Sequence, residues 1–427
     1  MRAFYLIIIL TVVFLIGISV AILKSQNSDQ FYTNSIVDTT WWEIQSIDAV
    51  KYSRDLAREK AKDETFDAVI EKQVSLIASA GATHIGIGTP YDAEFLPFMK
   101  RWVLAARKYG LKVWFRGNLA GWEGWFGYKK ITRQEHIART KEFILANGEL
   151  FEDGDIFSAC PECENGGSGD PRHTGDIGGH RKFLIDEYKI TNDSFRKIGK
   201  NVRSNFIPMN GDVAKLIMDK ETTKTLGGVV VIDHYVKDPG QLLRDINSIS
   251  QTSGGKVVLG EFGAPIPDIH GNLTEKEQAD WLGGSLTELS GKPQLIGVNY
   301  WVGFGGTTAL WKDDYSQKKA VDVLRKYFKP KVLSGKVIDE IGKPIKGADV
   351  SIGAKMATTQ SDGTFILPYL SDEDLLQIKV PGYIGVSEKI GGRKEAEVVL
   401  KKSREDFIFK IRKFLFNFIR LRRKPWA

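Results

Sequence analysis

The chain has 427 residues, of which 42% are hydrophobic and 26% charged. These proportions exclude a collagen, a disordered tail protein and a multispanning membrane protein, and at roughly 150 residues per domain they allow two or three folded domains. The formal net charge of +7 is concentrated between Lys401 and Lys424, where ten basic residues stand against two acidic ones, so the other 403 residues sum to −1. A nearly neutral body with one basic tail argues against a phosphate-binding groove, and nucleic acid is not an expected partner.

Ala3 to Leu23 is a 21-residue apolar run broken only by Thr11, Gly17 and Ser19. At about 1.5 Å per residue it spans roughly the 30 Å hydrocarbon layer. With Arg2 ahead of it and only Lys24 soon after, residues 1–25 read as a single-pass anchor that leaves the rest of the chain outside the cell membrane. A cleavable signal peptide, with Ser19 and Ala21 before the cut, is the alternative and would make the protein secreted.

From Ile44 to Phe328 short runs rich in β-branched residues alternate with segments of helical period. The expected strands are Ile44–Val50, Thr83–Gly88, Lys112–Arg116, Asp155–Cys160, Arg203–Pro208, Gly228–Asp233, Val257–Glu261 and Leu295–Trp301. Helical patterns fall after each of them, so residues 38–330 are predicted to form a (β/α)8 barrel, an α/β fold whose working residues lie at the C-terminal ends of the strands. No glycine-rich phosphate turn follows an early strand, which argues against a doubly wound open sheet.

The third strand leads into Arg116-Gly117-Asn118-Leu119-Ala120-Gly121-Trp122-Glu123-Gly124-Trp125. A glycine-rich loop has no regular face on which to bury aromatics, so Trp122 and Trp125 are expected to stack on sugar. Arg116 either orients a nucleophile or pairs with a neighbouring acid, and Asn118 is counted with the substrate-binding residues. Strand four runs into Cys160-Pro161-Glu162-Cys163-Glu164, and strand seven into Gly260-Glu261-Phe262-Gly263. Glu162 and Glu261 are 99 residues apart, or 33 per βα unit, which places both on one face of the barrel. Two carboxyl groups facing each other across a barrel mouth are what glycosidic cleavage requires, one to protonate the leaving oxygen and one to attack the anomeric carbon. Cys160 and Cys163 leave three readings open: free structural thiols, a local disulfide stiffening the acid's loop, or metal ligation. No metal or cofactor is expected.

With these motifs the region Trp41 to Phe328 resembles the clan A glycoside hydrolases, which include family 5 cellulases and mannanases and family 39-type enzymes. The resemblance implies a retaining hydrolase with Glu162 as acid/base and Glu261 as nucleophile. It also implies sugar-binding roles for His234 and Tyr235 after strand six and for Trp301 after strand eight, and Glu164 is grouped with them. Pro161 stands where the clan has an Asn that bonds the sugar 2-hydroxyl. That departure favours the rival reading, a non-catalytic carbohydrate-binding protein on the same barrel.

Residues 332–400 change texture to short alternating stretches with frequent turn signals. Gly335-Lys336-Val337-Ile338-Asp339, Gly342 to Ala348 and Asp362-Gly363 resemble a carboxypeptidase regulatory-like, or prealbumin-like, β-sandwich. In residues 401–427, Phe407, Ile411, Phe414 and Phe418 share one stripe among basic residues, so this tail is expected to lie on a lipid surface. The expected partners are therefore a polysaccharide or oligosaccharide substrate and membrane lipid.

Overall fold

The computed structural model describes residues 39–403. The expected anchor and lipid-binding tail lie outside these residues. Among the described residues no helix is long and apolar enough to cross a membrane.

Eight strands build the first body: β1 (Ile44–Asp48), β2 (His84–Ile87), β3 (Lys112–Phe115), β4 (Ile156–Phe157), β5 (Pro208–Asn210), β6 (Val229–Asp233), β7 (Lys256–Phe262) and β8 (Leu295–Tyr300). They form one parallel sheet in the order β4-β3-β2-β1-β8-β7-β6-β5. Arg203, upstream of β5, pairs in parallel with Ile156, and its carbonyl accepts from the Phe157 N–H at 2.9 Å. The sheet thereby curls round toward closure as a barrel.

A helix follows each strand in turn: α1 (Asp67–Ser79), α2 (Leu96–Lys108), α3 (Arg133–Ala146), α4 (Ile177–Lys197), α5 (Gly211–Ile217), α6 (Pro239–Ser253), α7 (Glu275–Ser290) and α8 (Lys319–Phe328). Local chemistry fixes their ends. Reciprocal capping boxes start α3 (Thr132 with Glu135) and α7 (Thr274 with Glu277), satisfying backbone donors that the first turn leaves free. Asp238 caps α6 ahead of Pro239, and Gly254 ends it in the left-handed region at φ 68°. Apolar residues three and four apart, such as Phe98, Met99, Trp102, Val103 and Ala106 of α2, turn one helix face onto the sheet.

Alternation along the strands divides the barrel's interior into layers. Ile44, Trp114, Ile156, Phe206, Val231 and Val258 form an apolar plug, each side chain contributing about 1.5–3 kcal/mol on burial. Two residues further along the same strands stand Ser46, Arg116, Ser158, Asp233 and Gly260, so the upper interior is polar. Phe206 also explains why the fifth strand begins at Pro208 and not at Arg203. Its ring packs edge-on to Trp114 at 5.7 Å and its carbonyl accepts from the Ser158 hydroxyl at 2.7 Å, so Phe206 fills the barrel between the Arg203 bridge and β5.

Beyond α8 the chain enters seven strands in two sheets with a shared core. Strands β9 (Lys331–Asp339), β12 (Thr364–Tyr369) and β15 (Glu395–Leu400) form one sheet. The other holds β10 (Asp349–Ile352), β11 (Lys355–Thr358), β13 (Leu375–Lys379) and β14 (Val386–Lys389). Leu333, Val337, Val350, Leu376, Ile378 and Leu400 pack between them, consistent with the expected β-sandwich. Lys355 of this body hydrogen-bonds the Trp41 carbonyl and lies 5.1 Å above that indole.

Candidate active site

Residues at the ends of β1, β3, β6, β7 and β8 meet above the apolar plug. Glu261 of β7 accepts from Arg116 Nη2 through Oε1 at 2.7 Å and from the Tyr235 hydroxyl through Oε2 at 2.7 Å. Arg116 also reaches Asp48 with Nε at 2.9 Å and Asp233 with Nη2 at 3.5 Å, and its guanidinium lies 5.1 Å above the Trp114 ring. Asn299 donates to Asp48 at 3.1 Å and to the Gly260 carbonyl at 2.7 Å.

Burial works against the Arg116 charge, but the carboxyls of Asp233, Glu261 and Asp48 outweigh it and hold the guanidinium protonated. Burial, reinforced by the charge of Glu261, pushes the Asp233 carboxyl well above its usual range, and burial also raises Asp48. A single guanidinium thus stands among three carboxyls, Asp48, Asp233 and Glu261. The cluster depends on glycine. A Cβ on Gly260 would sit 2.4 Å from Asp233 Oδ1, and one on Gly86 would sit 3.0 Å from Asp48 Oδ2. The glycine of the Gly-Glu-Phe-Gly motif therefore makes room for the ion cluster behind Glu261.

Glu162, after β4 and close enough to Glu261 for their charges to interact, has φ 46° and ψ 53°, a left-handed conformation that costs a non-glycine residue about 1–3 kcal/mol. A disulfide between Cys160 and Cys163, one of the three readings of these cysteines, closes the turn around it. Its N–H donates to the Pro208 carbonyl at 2.8 Å, and its Oε2 accepts from Asn165 Nδ2 at 3.1 Å. Burial first, then the negative charges of Glu261 and Glu164, raise the Glu162 carboxyl to about 7 against the pull of Arg116.

Trp122 corrects an expectation. It is 1% exposed, stacked on Phe183 of α4 at 4.8 Å and edge-on to His136 of α3 at 4.9 Å, so neither face is open to sugar. The glycine-rich loop coils into a short helix, Ala120–Glu123, that turns the indole inward. There its Nε1 donates to the Cys163 carbonyl at 3.0 Å. A Cβ on Gly166 or Gly167 would come within 2.5 Å of this residue. Trp122 therefore clamps the loop that carries Glu162.

Asn118 is likewise turned inward. It is 1% exposed, with Oδ1 accepting from the Leu119 N–H at 2.8 Å and facing His136 Nε2 at 2.8 Å, and it serves the loop's framework. His234 also departs from expectation, because strand alternation sends Asp233 into the barrel and His234 out to α6, where Nε2 meets Asp245 at 2.9 Å. Glu164 is buried and its Oε1 accepts from the Asn210 N–H at 2.7 Å, which braces the acid loop against the end of β5. Trp301 and Trp125 are half-buried at the mouth. Trp301 lies edge-on to Tyr235 at 5.9 Å, and Arg54 sits 4.9 Å above Trp125. Sequence reasoning assigned no role to Asp48, Asp233, Asn299 or Glu123. Burial raises the Glu123 carboxyl to about 7. Among the described residues no group of three or more His, Cys, Asp or Glu side chains is arranged to hold a metal ion.

No family model and no curated protein matches the chain. Among solved structures, GH5_18 from Bifidobacterium longum subsp. longum aligns over 72% of this chain and 87% of that one, at 14% identity and a TM-score of 0.50. A variant of that enzyme in complex with Manβ1-4GlcNAc aligns over 83% and 91%, at 12% identity and a TM-score of 0.51. The fold is a (β/α)8 barrel like that of these structures. An FMN-binding β-glucuronidase from Facaelibacterium prausnitzii L2-6 aligns at 13% identity and a TM-score of 0.44, and the chain covers 53% of its length.

Proposed function

We propose that the protein is a retaining hydrolase of β-glycosidic bonds in a polysaccharide or oligosaccharide, with Glu261 as nucleophile and Glu162 as acid/base. The observation that carries this reading is the contrast between the two carboxyls. Glu261 has a donor on each oxygen, one of them the Arg116 cation, whereas burial and neighbouring negative charge hold Glu162 ready to keep a proton near neutrality. In the first step a Glu261 oxygen attacks the anomeric carbon as the Glu162 proton passes to the departing oxygen, leaving a glycosyl ester and a free alcohol. In the second, Glu162 takes a proton from water, whose oxygen displaces Glu261 and releases the sugar with its configuration retained. Trp301, half-buried beside Tyr235, offers the apolar face against which the reacting sugar stacks.

The enzyme is further proposed to work outside the cytoplasm, held by its N-terminal apolar run and basic tail or secreted. The Cys160–Cys163 disulfide supports an oxidising compartment. Turnover of a panel of aryl β-glycosides and β-linked oligosaccharides tests the reading. β-Mannosides and β-N-acetylglucosaminides come first, given the disaccharide in the GH5_18 variant complex. Hydrolysis by the wild type and its loss in Glu261→Gln are expected. Sugar binding without hydrolysis would instead establish the carbohydrate-binding alternative, for which Pro161 ahead of Glu162 speaks.

A further inference from the structure

The turn after β1, which the mechanism leaves unused, places two cations on the two tryptophans that remain accessible at the mouth. Lys51 Nζ lies 5.5 Å from the Trp301 ring centre and the Arg54 guanidinium 4.9 Å from that of Trp125. Both cations share one carboxylate, Asp55, at 3.3 Å from Lys51 and 2.8 Å from Arg54 Nε. All three side chains keep 30–36% of their surface in water, so a ligand can reach them. Arg54, Asp55, Trp125 and Phe126 also line a cavity of about 290 Å3 on this rim.

The turn is held rigidly. Val50 N–H donates to Asp48 at 2.6 Å, Gly88 N–H to the Ser53 hydroxyl at 2.9 Å, and the Thr89 hydroxyl to the Ser53 carbonyl at 2.6 Å. Lys51 and Arg54 share Asp55 on an aromatic rim, and the charge of Arg54 also reaches Glu123. Deeper in the mouth Glu162 and Glu261 flank the proposed position of cleavage, with Arg116 behind Glu261.

Building on the hydrolase reading above, we infer that this rim is a subsite for an acidic sugar, a uronate residue whose ring stacks on Trp125 and whose carboxylate takes the place of Asp55 on Arg54 and Lys51. A carboxylate is the group Arg54 already binds there, and a planar guanidinium matches its two oxygens. At the cleavage position the Arg116 cation is already engaged by Asp48, Asp233 and Glu261, so a ligand carboxylate finds its cations on the rim and the uronate lies beside the cleaved sugar along the chain. The substrate class is an acidic heteropolysaccharide.

Equilibrium binding to the full chain tests this with β-linked tetrasaccharides of alternating glucuronate and glucose, and with the same compounds after their carboxylates are reduced to alcohols. The wild type should bind the acidic form about tenfold more tightly, the strength of one charge-assisted hydrogen bond, and lose the preference at high salt. Lys51→Met with Arg54→Met should bind both forms alike. Asp55→Asn, which removes the internal competitor, should tighten binding of the acidic form alone, a gain that no folding defect produces. Equal wild-type affinity for both forms, a preference that survives in the double variant, or no binding of either form would overturn the subsite. Hydrolysis is scored separately. Preferential binding without cleavage of any panel substrate would fail the hydrolase reading and leave the subsite standing, and cleavage without preference would do the reverse.

Discussion

At the residue scale the loop bearing Glu162 is held by an indole that touches no sugar. Trp122→Ala would empty a packed site between α3 and α4 and should cost about 3–5 kcal/mol, measured as a fall in thermal midpoint. Trp122→Phe keeps most of the ring and removes the donor to the Cys163 carbonyl, so a smaller loss of about 1 kcal/mol is expected. Its kinetic effect should fall on substrates with poor leaving groups, which need the proton, and spare activated aryl glycosides. A variant that weakens polysaccharide binding without loss of stability would return Trp122 to the surface.

The raised carboxyl of Glu162 also sets a pH dependence. The acid form is the active one, so rate should fall as pH rises through about 7, and this limb should disappear in Glu162→Gln assayed on an activated substrate. An unchanged limb in that variant would assign it to another group. Both carboxyls were legible from sequence because each follows an apolar strand and the pair keeps the 33-residue spacing of βα units. Trp122, Asn118 and His234 were not. Whether a loop aromatic faces solvent depends on a one-turn helix no longer than Ala120–Glu123, and whether a strand-end residue enters the barrel depends on a one-residue phase that short strands leave open.

At the element scale β1 carries the weakest apolar signal, Ile-Gln-Ser-Ile-Asp, because its polar residues are buried in the barrel and not exposed on one face. That explains why Asp48 was passed over although it ends its strand as Glu261 nearly ends β7. The fifth strand shows the reverse effect, since Phe206 before Pro208 fills the plug and imitates a strand residue. In β7 the motif glycine answers a steric demand set by the neighbouring strand β6. Gly260→Ala would place a methyl group 2.4 Å from Asp233 Oδ1 and 2.8 Å from Val231 Cγ1. It should cost about 1–3 kcal/mol of stability and, by shifting Arg116 off Glu261, roughly a hundredfold in kcat. Full activity in that variant would mean that the ion cluster behind Glu261 can move without consequence.

At the scale of the whole molecule, the alternation of strands and helices and the change of texture near Pro330 made both bodies readable. Their contact was not, because it joins residues far apart in sequence, Lys355 meeting the Trp41 carbonyl and Leu370 packing on the barrel's core. Lys355→Ala should lower stability by about 0.5–1 kcal/mol through loss of the cation from Trp41 and leave kcat unchanged, since Trp41 lies before β1 and away from the C-terminal mouth. The proposed mechanism requires that Glu261 become covalently bound to sugar. The most direct measurement is mass spectrometry after incubation with a panel of 2-deoxy-2-fluoro-β-glycosyl fluorides, which form the glycosyl ester readily and release it slowly. One sugar per chain on the peptide containing Glu261, absent from Glu261→Gln, is the predicted result. Labelling at Glu162 or Glu164, or hydrolysis of ordinary substrates with no ester formed from any member of the panel, would contradict it.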